Sequence, residues 1–181
     1  GGSAGCTLAN RLTANGKHTV CLLEAGGKDY NPWIHIPAGF VKTMADPSVN
    51  WLFETKPQES TGNRPIPIPR GKVIGGCSSI NGMLYVRGQA SDYDVWAQMG
   101  CTGWSYKNVL PYFKKSENWE RGGNQYRGEG GPLNVIEPRN RYDILDKVIA
   151  AGTSLGYVSE YDYNSDSQAG FFYYQLTQKD G

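Results

Sequence analysis

The chain opens on Gly1-Gly2-Ser3-Ala4-Gly5, and a helical pattern follows without a break. Glycines placed this way have separate tasks at a dinucleotide site: one permits a tight strand-to-helix turn, one lets backbone approach a pyrophosphate, and one lets the helix pack closely on its strand. With Gly1 as spacer, Gly2 and Gly5 fit the second and third tasks, and Ser3 and Ala4 keep the turn small. The N–H groups of a helix start lack intrahelical partners and lie at the positive end of the dipole, which suits a phosphate. Glu24 closes the run Thr19-Val20-Cys21-Leu22-Leu23. An acid about 20 residues after the glycines can accept hydrogen bonds from a ribose diol. The competing reading is a glycine-rich linker before an ordinary amphipathic helix, and the placed acid favours the nucleotide. FAD and NAD both remain open here, while a carboxylate disfavours the 2′-phosphate of NADP.

A second constellation spans residues 70 to 88, Arg-Gly-Lys-Val-Ile-Gly-Gly-Cys-Ser-Ser-Ile-Asn-Gly-Met-Leu-Tyr-Val-Arg-Gly. Gly75-Gly76 allows a sharp turn or tight contact with a flat ligand. Cys77, Ser78 and Ser79 are small, and Asn81-Gly82-Met83 offers a polar side chain and backbone amides to a heteroaromatic edge. On residue types alone, a tight turn into a buried element is the stronger reading, because Gly and Ser mark turns more often than ligands.

The elements that must carry these residues follow from periodicity. Residues 6 to 15 read as a helix with the stripe Leu8, Ala9, Leu12 and a stop at Gly16, and 19 to 23 read as a strand. Residues 28 to 72 carry Pro32, Pro37, Pro47, Pro57, Pro65, Pro67 and Pro69 and little periodicity, as expected of a long functional or cofactor-covering segment. Within it, 50 to 55 suit a short strand and 64 to 69 must be extended. A helix is expected over 103 to 117, with Ser105 as N-cap and a kink or late start at Pro111. A glycine-rich mobile loop over 121 to 131, an amphipathic helix over 142 to 155 and a strand over 170 to 178 complete the expectation.

Composition excludes several classes. A net charge of +1 with 19% charged residues and no basic stripe gives nucleic acid nothing to bind. Cys6, Cys21, Cys77 and Cys101 lack paired spacing, which argues against a metal site or a disulfide framework and for a reducing, cytoplasmic setting. A peripheral membrane position is the alternative location. No stretch approaches the roughly 18 apolar residues of a spanning helix.

Taken together, the segment Gly71-Lys72-Val73-Ile74-Gly75-Gly76-Cys77-Ser78-Ser79-Ile80-Asn81, with Tyr85, Gly88 and Asp94 in register, resembles the first signature of the glucose–methanol–choline (GMC) oxidoreductases. Cys77 departs from the family's usual Gly, Ser or Thr but is equally small. Further landmarks run along the whole chain, among them Leu23-Glu24-Ala25-Gly26, Gly103-Trp104-Ser105 and Gly130-Gly131-Pro132-Leu133.

The resemblance implies an α/β fold: part of an FAD-binding, Rossmann-like GMC domain lacking its first strand, plus the start of a substrate-binding domain. Residues 1–137 would belong to the first and 138–181 to the second. It places Gly2, Ser3, Ala4 and Gly5 at the FAD pyrophosphate and Glu24 at the ribose. Val73 and Gly76 would lie along the cofactor, and Asn81, Gly82, Met83 and Leu84 would border the flavin ring. Some relatives attach FAD through a histidine in this region, but here Ile80 precedes Asn81 and no histidine is near, so non-covalent FAD is implied.

The implied reaction is oxidation of a small-molecule alcohol by hydride transfer to flavin. Oxygen or a quinone would be the electron acceptor, and the branch would be choline-dehydrogenase-like. The family's catalytic histidine lies near the C-terminus of the full enzyme, and neither His18 nor His35 matches it. No catalytic residue is therefore expected among these 181 residues, which read as an N-terminal fragment. The alternatives are a GMC-type hydroxynitrile lyase and a truncated piece without activity.

Overall fold

A computed structural model describes residues 1–159 and 162–179. The fold is α/β, and the chain forms two compact units, Gly1–Met83 and Leu84–Gly181. Compactness does not speak to the division of roles expected after residue 137.

In the first unit, α1 spans Ser3–Thr13. It starts three residues earlier than the periodicity predicts, because Ser3, Ala4 and Gly5 are too small to carry a periodic signal. Gly16 ends it with φ +69°. Its apolar stripe is uncovered within this chain, with Leu8 61% and Leu12 50% exposed, as expected where the first strand is lacking. The expected strand at 19 to 23 is also not formed, since no ladder runs along it among the described residues. Strand character requires a hydrogen-bonded neighbour, which apolar composition alone does not supply.

The proline-rich segment is more ordered than its sequence suggests. Two single 3-10 turns, Pro32–Ile34 and Pro37–Gly39, lead into the four-residue α2, Phe40–Thr43. The strand β1, Phe53–Glu54, pairs antiparallel with β2, Pro67–Ile68, in the two places where extended backbone was expected.

The backbone from Gly71 to Gly75 organises this unit. Gly71 bridges antiparallel to Asn50, Val73 parallel to Gly27, and Gly75 parallel to Gly2. Val73 is buried with Val49 and Ile80 to make the small apolar core.

The second unit contains α3, Ala90–Gln98, which has no clear periodic signal in the sequence. Gln89 caps it reciprocally with Asp92: the Gln89 N–H donates to Asp92 Oδ2 at 2.8 Å. Next comes α4, Tyr106–Ser116, which holds Pro111 inside it. Ser105 occupies the N-cap position, but its hydroxyl pairs with Asn108 Oδ1 and caps no backbone N–H.

The strand β3, Glu117–Trp119, pairs parallel with β4, Leu133–Val135. Ile136 bridges antiparallel to Leu176, which also bridges to Leu84. Thus the strand expected at 170 to 178 enters the sheet at Leu176 rather than along its length. The last helix, α5, is Asp143–Ser154, close to expectation.

Candidate functional site

Three separated segments meet around the start of α1. The Gly75 N–H donates to the Gly1 carbonyl at 2.7 Å, and the Ile74 N–H to the Gly27 carbonyl at 3.0 Å. The Gly2 and Gly76 backbones lie against each other: a Cβ on Gly76 would fall 2.8 Å from Gly2 Cα. Gly76 also has φ +57°, so a side chain there meets both strain and collision. Beside it, Gly26 presses on the Lys72 carbonyl, where a Cβ would come within 2.0 Å.

Glu24 reaches the same place. A Cβ on Gly1 would fall 2.5 Å from its Oε2, and its Oε1 accepts from the Gly26 N–H at 2.8 Å. The Gly26 amide, the largest influence on it, holds this carboxyl below its ordinary range. Glu24 is thus ionised at neutral pH, with oxygen lone pairs left to accept further hydrogen bonds.

The α1 start fits a diphosphate. Gly2 is its N-cap, no side chain caps it, and no acid lies in the first turn. Ser3 and Ala4 are exposed beside it. An open, acid-free helix start of small residues gives room and N–H donors for an anion, and the ionised Glu24 alongside suits a ribose. The residues present therefore fit FAD. A Cβ on Gly5 would touch Leu22 Cδ1 at an ordinary 3.5 Å.

The remaining expected residues divide in two. Val73 has a buried side chain, and its carbonyl accepts the Gly76 N–H at 2.8 Å, so its backbone helps shape the Gly75–Gly76 turn. Asn81 Oδ1 accepts from the Met83 N–H at 2.8 Å, and Met83 stands at φ +62°, a left-handed conformation uncommon outside glycine. Gly82 lies beside Phe40, whose ring would be 3.8 Å from an added Cβ. Phe40 escaped sequence reasoning, since an aromatic in an aperiodic proline-rich run gives no signal. Leu84 belongs to the second unit, bridged to Leu176. Neither histidine joins these groups: His18 is exposed, and His35 Nε2 pairs with the exposed Asp29 carbonyl at 2.6 Å.

The second unit hides an ionic cluster that the sequence did not reveal. Glu117 and Arg127 are 0% exposed and Arg87 is 4% exposed. Arg127 Nη2 donates to Glu117 Oε1, and Arg87 Nη2 to Glu117 Oε2, both at 2.8 Å. Arg127 Nη1 also pairs with Asp162. The loop expected to be mobile is therefore pinned at its centre by Arg127. Among the described residues, no group of three or more His, Cys, Asp or Glu could hold a metal ion, all four cysteines are unpaired, and no helix is long and apolar enough to cross a membrane.

An open helix start, a glycine-to-glycine backbone contact and an ionised acid beside them make a cradle of the kind that takes a dinucleotide in α/β proteins. The family model for GMC oxidoreductase matches residues 1–181, and the chain belongs to that family. It is 46% identical over 170 residues to an oxygen-dependent choline dehydrogenase from Rhizobium rhizogenes, covering 94% of this chain and 31% of the relative.

Among solved structures it is similar to pyridoxine 4-oxidase from Mesorbium loti, with TM-score 0.91 and 33% identity over 99% of this chain and 36% of the other. An FAD-dependent oxidoreductase from Chaetomium thermophilum matches with TM-score 0.84 and 30% identity, covering 99% and 32%. The chain thus spans about a third of the length of these relatives. Family and fold together make FAD the cofactor to which this nucleotide turn belongs.

Proposed function

We propose that this chain holds FAD, non-covalently, for an enzyme that oxidises an alcohol to an aldehyde or ketone. The closeness to choline dehydrogenase supports an alcohol of that kind. The observation that carries the reading is the convergence of the Gly2 and Gly76 backbones with the Glu24 carboxylate at the open start of α1.

When bound, FAD would supply the acceptor for the hydride leaving the alcohol carbon. The chain's own residues bind and orient. The N–H groups of Ser3, Ala4 and Gly5 would meet the diphosphate, Glu24 the ribose hydroxyls, and the 73–76 turn and the Asn81–Leu84 segment would flank the remainder. No residue here is assigned to removing the hydroxyl proton, because neither histidine lies at the cradle. Residues 1–137 would serve the cofactor and 138–181 would begin the substrate side. The name of the R. rhizogenes relative favours oxygen over a quinone as acceptor. The unpaired cysteines favour a reducing, cytoplasmic location over the membrane surface, which cell fractionation would decide.

The test uses the intact protein that carries this segment. It should purify yellow, and anaerobic addition of choline or another small alcohol should bleach the flavin. Air, or an added quinone under argon, should restore the colour and so identify the acceptor. A colourless protein that gains no FAD, or a flavin that no alcohol bleaches, would overturn the reading.

A further inference from the structure

The peptide groups of Tyr85 are fixed on both sides. The Tyr85 N–H donates to the Gln175 carbonyl at 2.9 Å. Its carbonyl accepts from the Tyr163 hydroxyl at 2.8 Å and from Asn164 Nδ2 at 3.1 Å. The same Tyr163 hydroxyl accepts the Gln175 N–H at 2.7 Å, so one oxygen joins two strands of chain.

Tyr163 cannot easily swing away. It is 1% exposed, and its ring stacks on Phe172 with centroids 4.3 Å apart and planes 19° from parallel. The Gln175 side chain continues the network: its Oε1 accepts from Asn164 Nδ2 at 2.8 Å and from Arg127 Nη1 at 2.9 Å. A buried network with its members satisfied is rigid, and its fixed point here is a backbone rather than a side chain. Burial pushes the Tyr163 hydroxyl up to about 12, so it remains a donor through ordinary pH.

Position gives this rigidity a use. Tyr85 directly follows Leu84, which bridges to Leu176, and Leu84 ends the Asn81–Leu84 segment. We infer that Tyr163, with Asn164 and Gln175, is a positioning unit that fixes the Tyr85 peptide, and through it Leu84, at the border of the flavin ring. The inference rests on the proposal that Asn81–Leu84 borders FAD. A network that served stability alone would have no reason to affect the flavin.

The experiment compares Tyr163→Phe with Tyr173→Phe in the intact flavoprotein. The Tyr173 hydroxyl bonds Asp146 Oδ1 at 2.9 Å and the Tyr142 carbonyl at 3.3 Å instead. Tyr163→Phe removes two hydrogen bonds, and the one to the Tyr85 carbonyl by itself allows roughly a fivefold change. Tyr163→Phe should therefore speed amide exchange at Tyr85 about fivefold, shift the visible flavin band, and lower kcat about fivefold with KM nearly unchanged. Tyr173→Phe should leave all of these at wild-type values.

A Tyr163→Phe protein that loads FAD with wild-type spectrum, exchange and kcat overturns the inference. If that variant does not fold, Asn164→Ser removes the other donor to the Tyr85 carbonyl and is held to the same criteria. If the wild-type protein binds no flavin, the proposed function fails by itself. Faster Tyr85 exchange in the variant would then show a structural clamp only, and the role at the flavin would be lost.

Discussion

Replacing Glu117 with Gln tests whether the second unit is built around a balanced buried charge cluster. Glu117 Oε2 accepts from Arg87 Nη2 at 2.8 Å, from Arg127 Nε at 3.1 Å and from the Gly128 N–H at 2.7 Å. Its Oε1 accepts from Arg127 Nη2 at 2.8 Å. With Asp162, the two guanidiniums and two carboxylates cancel. The amide keeps the shape but removes one negative charge, and whichever way it turns, its NH2 faces an arginine donor.

Leaving a buried charge uncompensated costs about 3–5 kcal/mol. That is a large part of the roughly 5–15 kcal/mol stability of a typical domain. For a unit of this size it corresponds to a fall in Tm on the order of 15 °C or more. Urea unfolding followed by tryptophan fluorescence suits the measurement, because Arg127 stacks 4.1 Å from the ring centre of buried Trp119. The double variant Glu117→Leu with Arg127→Met leaves Arg87 and Asp162 in balance. It should therefore cost less than the two single changes added together. A Glu117→Gln protein within about 1 kcal/mol of wild type, or strictly additive effects, would refute the argument, since that is the worth of an exposed pair.

Other perturbations separate the roles of individual groups. Gly76→Ala should abolish stable FAD loading, measured as flavin per polypeptide, because its Cβ meets Gly2 Cα at 2.8 Å from a φ of +57°. Gly5→Ala meets only Leu22 at 3.5 Å and should raise the stability of the flavin-free protein by roughly 0.5–1 kcal/mol, read from thermal unfolding. Any loss of FAD affinity in that variant would then report the diphosphate contact itself. Glu24→Gln should weaken FAD binding about tenfold, the worth of a charged hydrogen bond, yet leave riboflavin binding unchanged because riboflavin lacks the adenosine ribose.

Alkali supplies a further check. The Tyr163 hydroxyl is raised from 10.0 to about 12 by burial, so its contribution is fully present below pH 10 and is lost as pH rises toward 12. A pH series of urea midpoints should fall across that window by roughly 2–3 kcal/mol in wild type. The fall should be smaller in Tyr163→Phe.

Legibility in the sequence followed the range of the interactions. Helices α1 and α5 were readable because apolar spacing and a following glycine are local signals. Helix α3 was not, since Val95 and Trp96 are 47% and 46% exposed and give no clear inward stripe. Only the Gln89–Asp92 capping pair marked its start. Strand β3 was concealed by Glu117: an acid argues against a buried strand unless its partner is known, and Arg127 lies in a glycine-rich loop that reads as mobile. At the candidate site, Gly2, Glu24 and Gly76 were readable from spacing and signature. The service of Gly26 to the Lys72 carbonyl depends on a contact across 46 residues, and nothing near Gly26 in the sequence announces it.

The sources of order differ between the two units, and that difference sets how each should respond to mutation. In the first unit Val49, Val73 and Ile80 make up the buried core with Ile34 against it. The cradle is instead placed by backbone bridges from Gly71, Val73 and Gly75 to Asn50, Gly27 and Gly2. Backbone contacts of this kind tolerate change in the outward side chain of Ile74 but admit no Cβ at Gly26 or Gly76. In the second unit the order resides in polar side chains, Glu117, Arg127, Tyr163 and Gln175, where even an isosteric exchange removes a needed charge or hydrogen bond. Conservative substitutions should therefore be mild on the outward face of the cradle and severe in the network beneath Tyr85. A core packed mainly by apolar side chains would show the opposite pattern.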